Sequence, residues 1–306
     1  MNSSALIRPA LAVAISACLF LGAACTPTPQ TAPAPEASPK GGPTLWRLAD
    51  ADTEIFLFGT IHLLPADLDW KRPELKAALA EADVIYLESR DDPASETTRA
   101  ILAEAMRPPG TRLAERLGEA DAARLETILA EAGFPLHQFE SYPSWFAAMT
   151  LSRISLESIG IRQDAGVETW LESARREDTP IRGLENRAEV AARLSDLPEA
   201  TQVRLLENSL AELETLEASI NALVSAWASG DQAGLARAQF ADMREDLPDV
   251  YQVLIADRNR AWAAEIIRLL EEEEGTFLIA VGAGHFLHEE GLPALLEGEG
   301  YPLTRY

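Results

Sequence analysis

The chain has 306 residues and two cysteines, Cys18 and Cys25, both near its start. From residue 45 onward there is no cysteine. That excludes a disulfide framework, a thiolate nucleophile and a cysteine-based zinc site there. Stability in that region has to come from a hydrophobic core. Positive charge is also scarce. Lys and Arg number 26 against 49 Asp and Glu, a formal net charge of -23 at pH 7. This balance argues against nucleic acid or an anionic membrane surface as a partner, and the acidic excess reads as a solvated surface. Familiar catalytic patterns are missing too. There is no G-x-S-x-G elbow, no H-E-x-x-H, no P-loop, and no G-x-G-x-x-G after a strand.

The first segment reads as a targeting signal. Arg8 is its lone charge, Ala10 to Gly22 is apolar but too short to span a bilayer convincingly, and Ala23-Ala24 precede Cys25. We therefore expect a lipoprotein-like signal peptide over residues 1–25 with lipidation at Cys25. Cys18, after Ile15-Ser16-Ala17, is the rival position, and plain secretion is the simplest alternative. Residues 26–44 are rich in Pro, Ala and Thr and read as a semi-extended tether. The expected location is the periplasmic side of a bacterial cell envelope, with membrane contact only through the N-terminal lipid anchor. Residues 45–306 are expected to form one domain.

Within that domain, apolar strands alternate with helical patterns. Trp46-Arg47-Leu48 and Ile55-Phe56-Leu57-Phe58 flank an Asp50-Ala51-Asp52 turn and predict a β-hairpin. Short strands are expected at Val84–Leu87, Pro180–Glu185, 277–282 and 301–305. Helices are expected at Pro73–Ala82, 95–106, 111–117, 119–132, 143–159, Val167–Arg176 and near 290–297. Leu206, Leu210, Leu213, Leu216, Ile220, Leu223 and Trp227 recur at helical spacing and predict a long helix over 199–229, stopped by Gly230. A second long helix is expected over 249–273. The alternation predicts an α/β fold, a central mixed β-sheet flanked by helices, with a largely helical middle insertion. Trp145, Trp170 and Trp227 read as core.

The chain has four histidines, and two of them close matched units more than two hundred residues apart. Ile55–Phe58 leads into Gly59-Thr60-Ile61-His62, and Phe277–Val281 leads into Gly282-Ala283-Gly284-His285. Each is an apolar strand followed by GxxH. Strand ends deliver their side chains to one edge of an α/β sheet, where ligands bind. His62, Glu88, Glu185 and His285 all stand at such ends. Two imidazoles with one or two carboxylates suit a borderline divalent metal, and a carboxylate outside the metal shell could serve as general base. Arg258-Asn259 lies mid-helix. It could bind a carboxylate or phosphoryl oxygen, or hold Glu88 or Glu185 in an internal salt bridge. His288 could reach the same side as His285 if helical geometry continues. His137 lies in a turn and reads as exposed and incidental.

These residues, taken together, resemble the TraB/GumN (pheromone-shutdown) family over roughly residues 45–306. The resemblance rests on Leu57 to His62, Ala82 to Glu88, Gly166-Val167-Glu168 with Leu171 and Ala174, Leu184-Glu185, Arg258-Asn259 with Trp262, and Val281 to His285. That family is similar to Tiki-type metalloproteases and, more remotely, to erythromycin-esterase-like and haem-binding ChaN-like proteins. The chain departs from the pattern at Glu168, where the family has Asp, at Asn186, at Phe286 and at His288, where the family has Gly. The resemblance implies a metal-dependent hydrolase, with peptide-bond cleavage favoured and a peptide or protein as substrate. His62, Glu88 and His285 carry over as catalytic or metal positions for Mn, Co or Zn, with Glu185 and Arg258 as supporting site residues, and in such a hydrolase Arg258 and Asn259 would stabilise the oxyanion. A non-catalytic envelope protein that binds a peptide, metal or cofactor is the alternative. An esterase-like activity rests on the remote similarity alone.

Overall fold

A computed structural model describes residues 41–90, 95–106, 108–239 and 241–306. The expected signal segment with Cys18 and Cys25, and the tether as far as residue 40, lie outside the described residues.

Six strands form one sheet: β1 (Leu45–Ala49), β2 (Thr53–Thr60), β3 (Val84–Ser89), β4 (Ile181–Glu185), β5 (Gly275–Gly282) and β6 (Thr304–Arg305). Their order is β4-β3-β5-β2-β1-β6. The first four in that order run parallel, while β1 pairs antiparallel with β2 and with β6. The fold is α/β with a mixed sheet and flanking helices, as expected.

Side chains alternate between the two faces of the sheet, so each strand feeds two cores. Phe56, Phe58, Ile85, Leu87, Leu278 and Ala280 face the helical insertion. Trp46, Ile55, Leu57, Tyr86, Phe277, Ile279 and Val281 face the opposite way and pack with Trp262, Ile266, Leu269 and Leu296. No helix among the described residues is long and apolar enough to cross a membrane.

Two expected helices are more broken than their periodicity suggests. The 199–229 stretch is interrupted by a 3-10 turn at Leu213–Thr215. There the Thr215 hydroxyl donates to the Glu212 carbonyl at 3.3 Å, competing with the helical ladder. Gly230 ends the stretch as expected, at φ 72°. The 249–273 stretch contains a π-helical segment, Gln252–Ala256, before helix Asp257–Glu272. The last strand is also shorter than expected. Hydrophobic spacing reports which face is buried but is blind to a one-residue widening of the helical turn.

The decisive feature is the position of β5, inserted between β3 and β2. Gly59 pairs with Val281 and Thr60 with Gly282, so the two GxxH turns leave the sheet side by side. Gly59 permits this contact. A Cβ there would lie 3.0 Å from Ala283 Cα and 3.2 Å from its Cβ. Trp227 Nε1 caps the same turn by donating to the Gly59 carbonyl at 2.8 Å. Gly59→Ala should therefore wedge the two turns apart and cost about 1–3 kcal/mol. Thermal unfolding measures this, and a variant as stable as the parent would mean the turns have slack.

Candidate active site at the parallel sheet edge

The four parallel strands end at one edge, and their terminal polar residues meet there. His62 follows β2, Glu88 lies at the end of β3, Glu185 closes β4 and His285 follows β5. His62, Glu88, Arg258, Asn259 and His285 are all buried. The six residues singled out from the sequence thus form a single cluster.

Arg258 is its hub. Nε donates to Glu185 at 2.9 and 3.1 Å, Nη1 to the Leu254 carbonyl at 2.7 Å, and Nη2 to Glu88 Oε2 at 2.5 Å. Nη2 is also 2.7 Å from Glu185 Oε1. Nη1 further lies 3.2 Å from His285 Nε2. The internal salt bridge left open by the sequence is therefore formed, and to both carboxylates. Trp262 packs beside the hub, with its ring 4.5 Å from the guanidinium carbon and its centroid 4.5 Å from that of His285. The π-helical turn sets this register. It contains Leu254, whose carbonyl takes one Arg258 N–H.

Asn259 decides the state of His285. Its Nδ2 donates to the carbonyls of His285 and Glu290 at 3.3 and 2.7 Å, so its Oδ1 is the acceptor facing His285 Nδ1 at 2.6 Å. His285 therefore carries its proton on Nδ1, and its Nε2 accepts from Arg258. Glu88 Oε1 accepts from the Gly282 N–H at 2.7 Å. The same oxygen lies 3.9 Å from His62 Nε2 and 3.8 Å from His285 Nε2.

Electrostatics follow from this packing. Burial alone would raise the Glu88 carboxyl, but Arg258, helped by His285, His62 and the Gly282 N–H, outweighs it and holds it at about 2. His285 is pushed down to about 3, first by burial and then by Arg258. Burial pushes Glu185 up against the pull of Arg258.

The ordinary values are 4.5 for Glu and 6.5 for His. Both folded-state values lie below them, so the folded protein binds fewer protons than the unfolded chain in acid. This contribution to stability is complete above pH 6.5. It is lost as pH falls, through His285 between 6.5 and 3 and through Glu88 between 4.5 and 2. Urea midpoints should therefore drop from pH 7 to pH 4. His285→Gln should flatten the upper part of that drop, and equal slopes for the two proteins would contradict the assignment.

The donor chemistry suits a divalent ion. Two imidazole nitrogens surround one carboxylate oxygen, with Glu88 ionised and His285 neutral. Arg258 Nη1 competes for the His285 nitrogen, and among the described residues no three His, Cys, Asp or Glu side chains are arranged to enclose an ion. His288 does not join the cluster through helical spacing. The 3-10 helix Ala283–Phe286 ends before it, and His288 takes a left-handed φ of 63°. His137 is exposed, in the short helix Leu136–Phe139.

The sequence reading missed two participants. In the sequence Trp262 stands out only as part of the Arg258-Asn259 motif, with no role in the site. Glu168, in helix Val167–Ala174, stands out there only as a motif position where the family has Asp, yet its Oε1 lies 2.8 Å from His62 Nδ1. Helical periodicity marks Glu168 as polar and gives no sign of what it faces.

A family model described as the TraB/PrgY/gumN family matches residues 44–305. Uncharacterized protein YbaP of Escherichia coli (strain K12) is 28% identical over 246 residues, covering 78% of this chain and 86% of its own. The protein of the same name from Shigella flexneri matches to the same extent. No solved structure matches the chain significantly.

Proposed function

The chain belongs to the TraB/PrgY/gumN family, and on that premise we propose that it is a divalent-metal-dependent hydrolase, most simply a peptidase, tethered to the cell envelope through Cys25. The observation that carries this reading is the convergence of His62 Nε2 and His285 Nε2 on Glu88 Oε1 in a buried cluster. His62, Glu88 and His285 would hold Mn, Co or Zn. A bound ion would supply Lewis acidity toward a carbonyl and acidify a water.

The chain's own groups prepare that chemistry. Arg258 keeps Glu88 ionised and fixes its carboxylate. Burial and Arg258 keep His285 neutral, and Asn259 fixes its tautomer and orientation. Glu185, raised by burial, is the group placed to accept and return a proton. Burial of the cluster excludes bulk water, which strengthens each of these interactions.

One observation favours a second reading, a non-catalytic envelope protein that binds a peptide, metal or cofactor. Arg258 already occupies the His285 nitrogen that an ion would need. Calorimetry with Mn, Co and Zn, followed by peptide-library digestion under each ion, separates the two. One ion per chain with cleavage supports the hydrolase. Binding without cleavage under any ion supports the binder, and absence of both overturns the metal site.

A further inference from the structure

Each imidazole of the cluster has a polar group at Nδ1, a hydrogen-bonded amide for His285 and a carboxylate in close contact for His62. His285 is gripped at Nδ1 by the Asn259 amide, 2.6 Å away, and presents Nε2 to Glu88 Oε1. His62 has the Glu168 carboxylate 2.8 Å from Nδ1 and likewise presents Nε2 to Glu88 Oε1. Glu168 is largely shielded, its side chain 15% exposed.

Its approach is built by the backbone. Leu64 N donates to the Arg162 carbonyl and Arg162 N to the Leu64 carbonyl, each at 3.1 Å. Val167 N donates to the Ile61 carbonyl at 3.2 Å. Three main-chain bonds thus stitch segment 162–167 to segment 61–64, and the Val167–Ile61 bond lies one residue before each member of the Glu168–His62 pair. His62 is fixed from both sides, by Ile61 and by Leu64, to the segment that leads into Glu168.

An ionised carboxylate only accepts and repels a lone pair at this distance, which favours a proton on the nitrogen facing it. The other nitrogen then carries the lone pair. The 3.9 Å from His62 Nε2 to Glu88 Oε1 agrees, being too long for an N–H donating to that oxygen.

We infer that Glu168 is a positioning residue for the centre, holding His62 as the Nδ1–H tautomer so that the Nε2 lone pair faces Glu88. A carboxylate behind a histidine fixes its ring and makes its outer nitrogen a better base or ligand. The two orienting groups differ. A carboxylate stands behind His62 and an amide behind His285. This inference rests on the reading that His62, Glu88 and His285 form one working centre, but it does not depend on turnover.

The test is nitrogen-15 NMR of the full chain labelled at histidine, with no added metal, at pH 7.5, and the His62 signals identified by their loss in His62→Gln. The expected result for the parent is one His62 nitrogen at a protonated shift, Nδ1, and one at an unprotonated shift, Nε2. Glu168→Ala should move His62 to the Nε2–H tautomer or to a mixture, while the His285 pattern stays unchanged. Glu168→Asp, an acceptor one methylene shorter, should restore the parent pattern at least in part.

An Nε2–H tautomer in the parent, or an unchanged His62 in Glu168→Ala, overturns the inference. Should Glu168→Ala not fold, Glu168→Gln against Glu168→Asp gives the same comparison, because the amide can present a donor where the carboxylate cannot. A tautomer change in a protein that cleaves nothing would leave this inference standing and remove only the hydrolase reading.

Discussion

Arg258→Met is expected to destabilise the protein by roughly 3–5 kcal/mol, the largest effect of any single substitution considered. The arginine is buried and holds two buried or nearly buried carboxylates, Glu88 and Glu185. Methionine fills a similar volume but leaves both acids without a counter-charge, and it also removes the contact with Trp262. The cost comes from desolvated charge, so it should be reversible by neutralising the acids. Arg258→Met combined with Glu88→Gln and Glu185→Gln should recover much of the loss.

The pH dependence gives a second signature. Without Arg258, burial is the dominant influence on Glu88, and its carboxyl moves above the ordinary 4.5. The penalty should then shrink as pH falls toward that value and the acid protonates, so the gap between variant and parent narrows in mild acid. Urea unfolding at pH 7 and pH 5 measures both effects. A gap that stays constant with pH would show that lost packing, and not unpaired charge, is responsible. Arg258→Lys keeps the charge but cannot bridge two carboxylates, a carbonyl and an imidazole at once, so it should fall between the two.

His62→Gln and His285→Gln are expected to lower hydrolysis by about 10²–10⁴-fold each and to abolish metal binding. Glutamine keeps a polar group of similar reach but offers no imidazole lone pair. The two effects should not add. Both rings face the same carboxylate oxygen, so the double variant should be scarcely worse than either single one. Additive losses would indicate two independent roles. His62→Gln should retain the parent's unfolding midpoint more closely than His285→Gln. The latter ring is completely buried and holds partners on both nitrogens. Turnover equal to the parent in both variants would remove the hydrolase reading.

Much of the fold was legible because it follows from local chemistry. The Asp50–Asp52 turn between two apolar runs is a hairpin in the structure, and Gly230 ends its helix in the left-handed conformation that favours glycine. The twin GxxH units were legible because an apolar strand that ends in a rare residue type, twice, is an unusual pattern. Their neighbours were less so. The Arg258–Asn259 pair could be seen, but its two readings could not be separated, since a buried guanidinium and a ligand-binding one look alike in a string of letters. Trp262 is an ordinary apolar position by periodicity, and only the structure lays it against both Arg258 and His285.

The sequence by itself determined the strand and helix alternation, the glycines that let chain pass close to chain, and the supply of acids and imidazoles at strand ends. Those are local matters of backbone sterics and hydrophobic period, written within a few residues of where they act. The tertiary structure decided which strand lies beside which. The placement of β5 between β3 and β2 brings His285 across more than two hundred residues to His62. The main-chain bonds from 162–167 to 61–64 bring Glu168 behind that same ring. Side-chain periodicity encodes a face and carries no address for the partner strand. The partner is chosen by how the whole core closes, and the site exists only once it has closed.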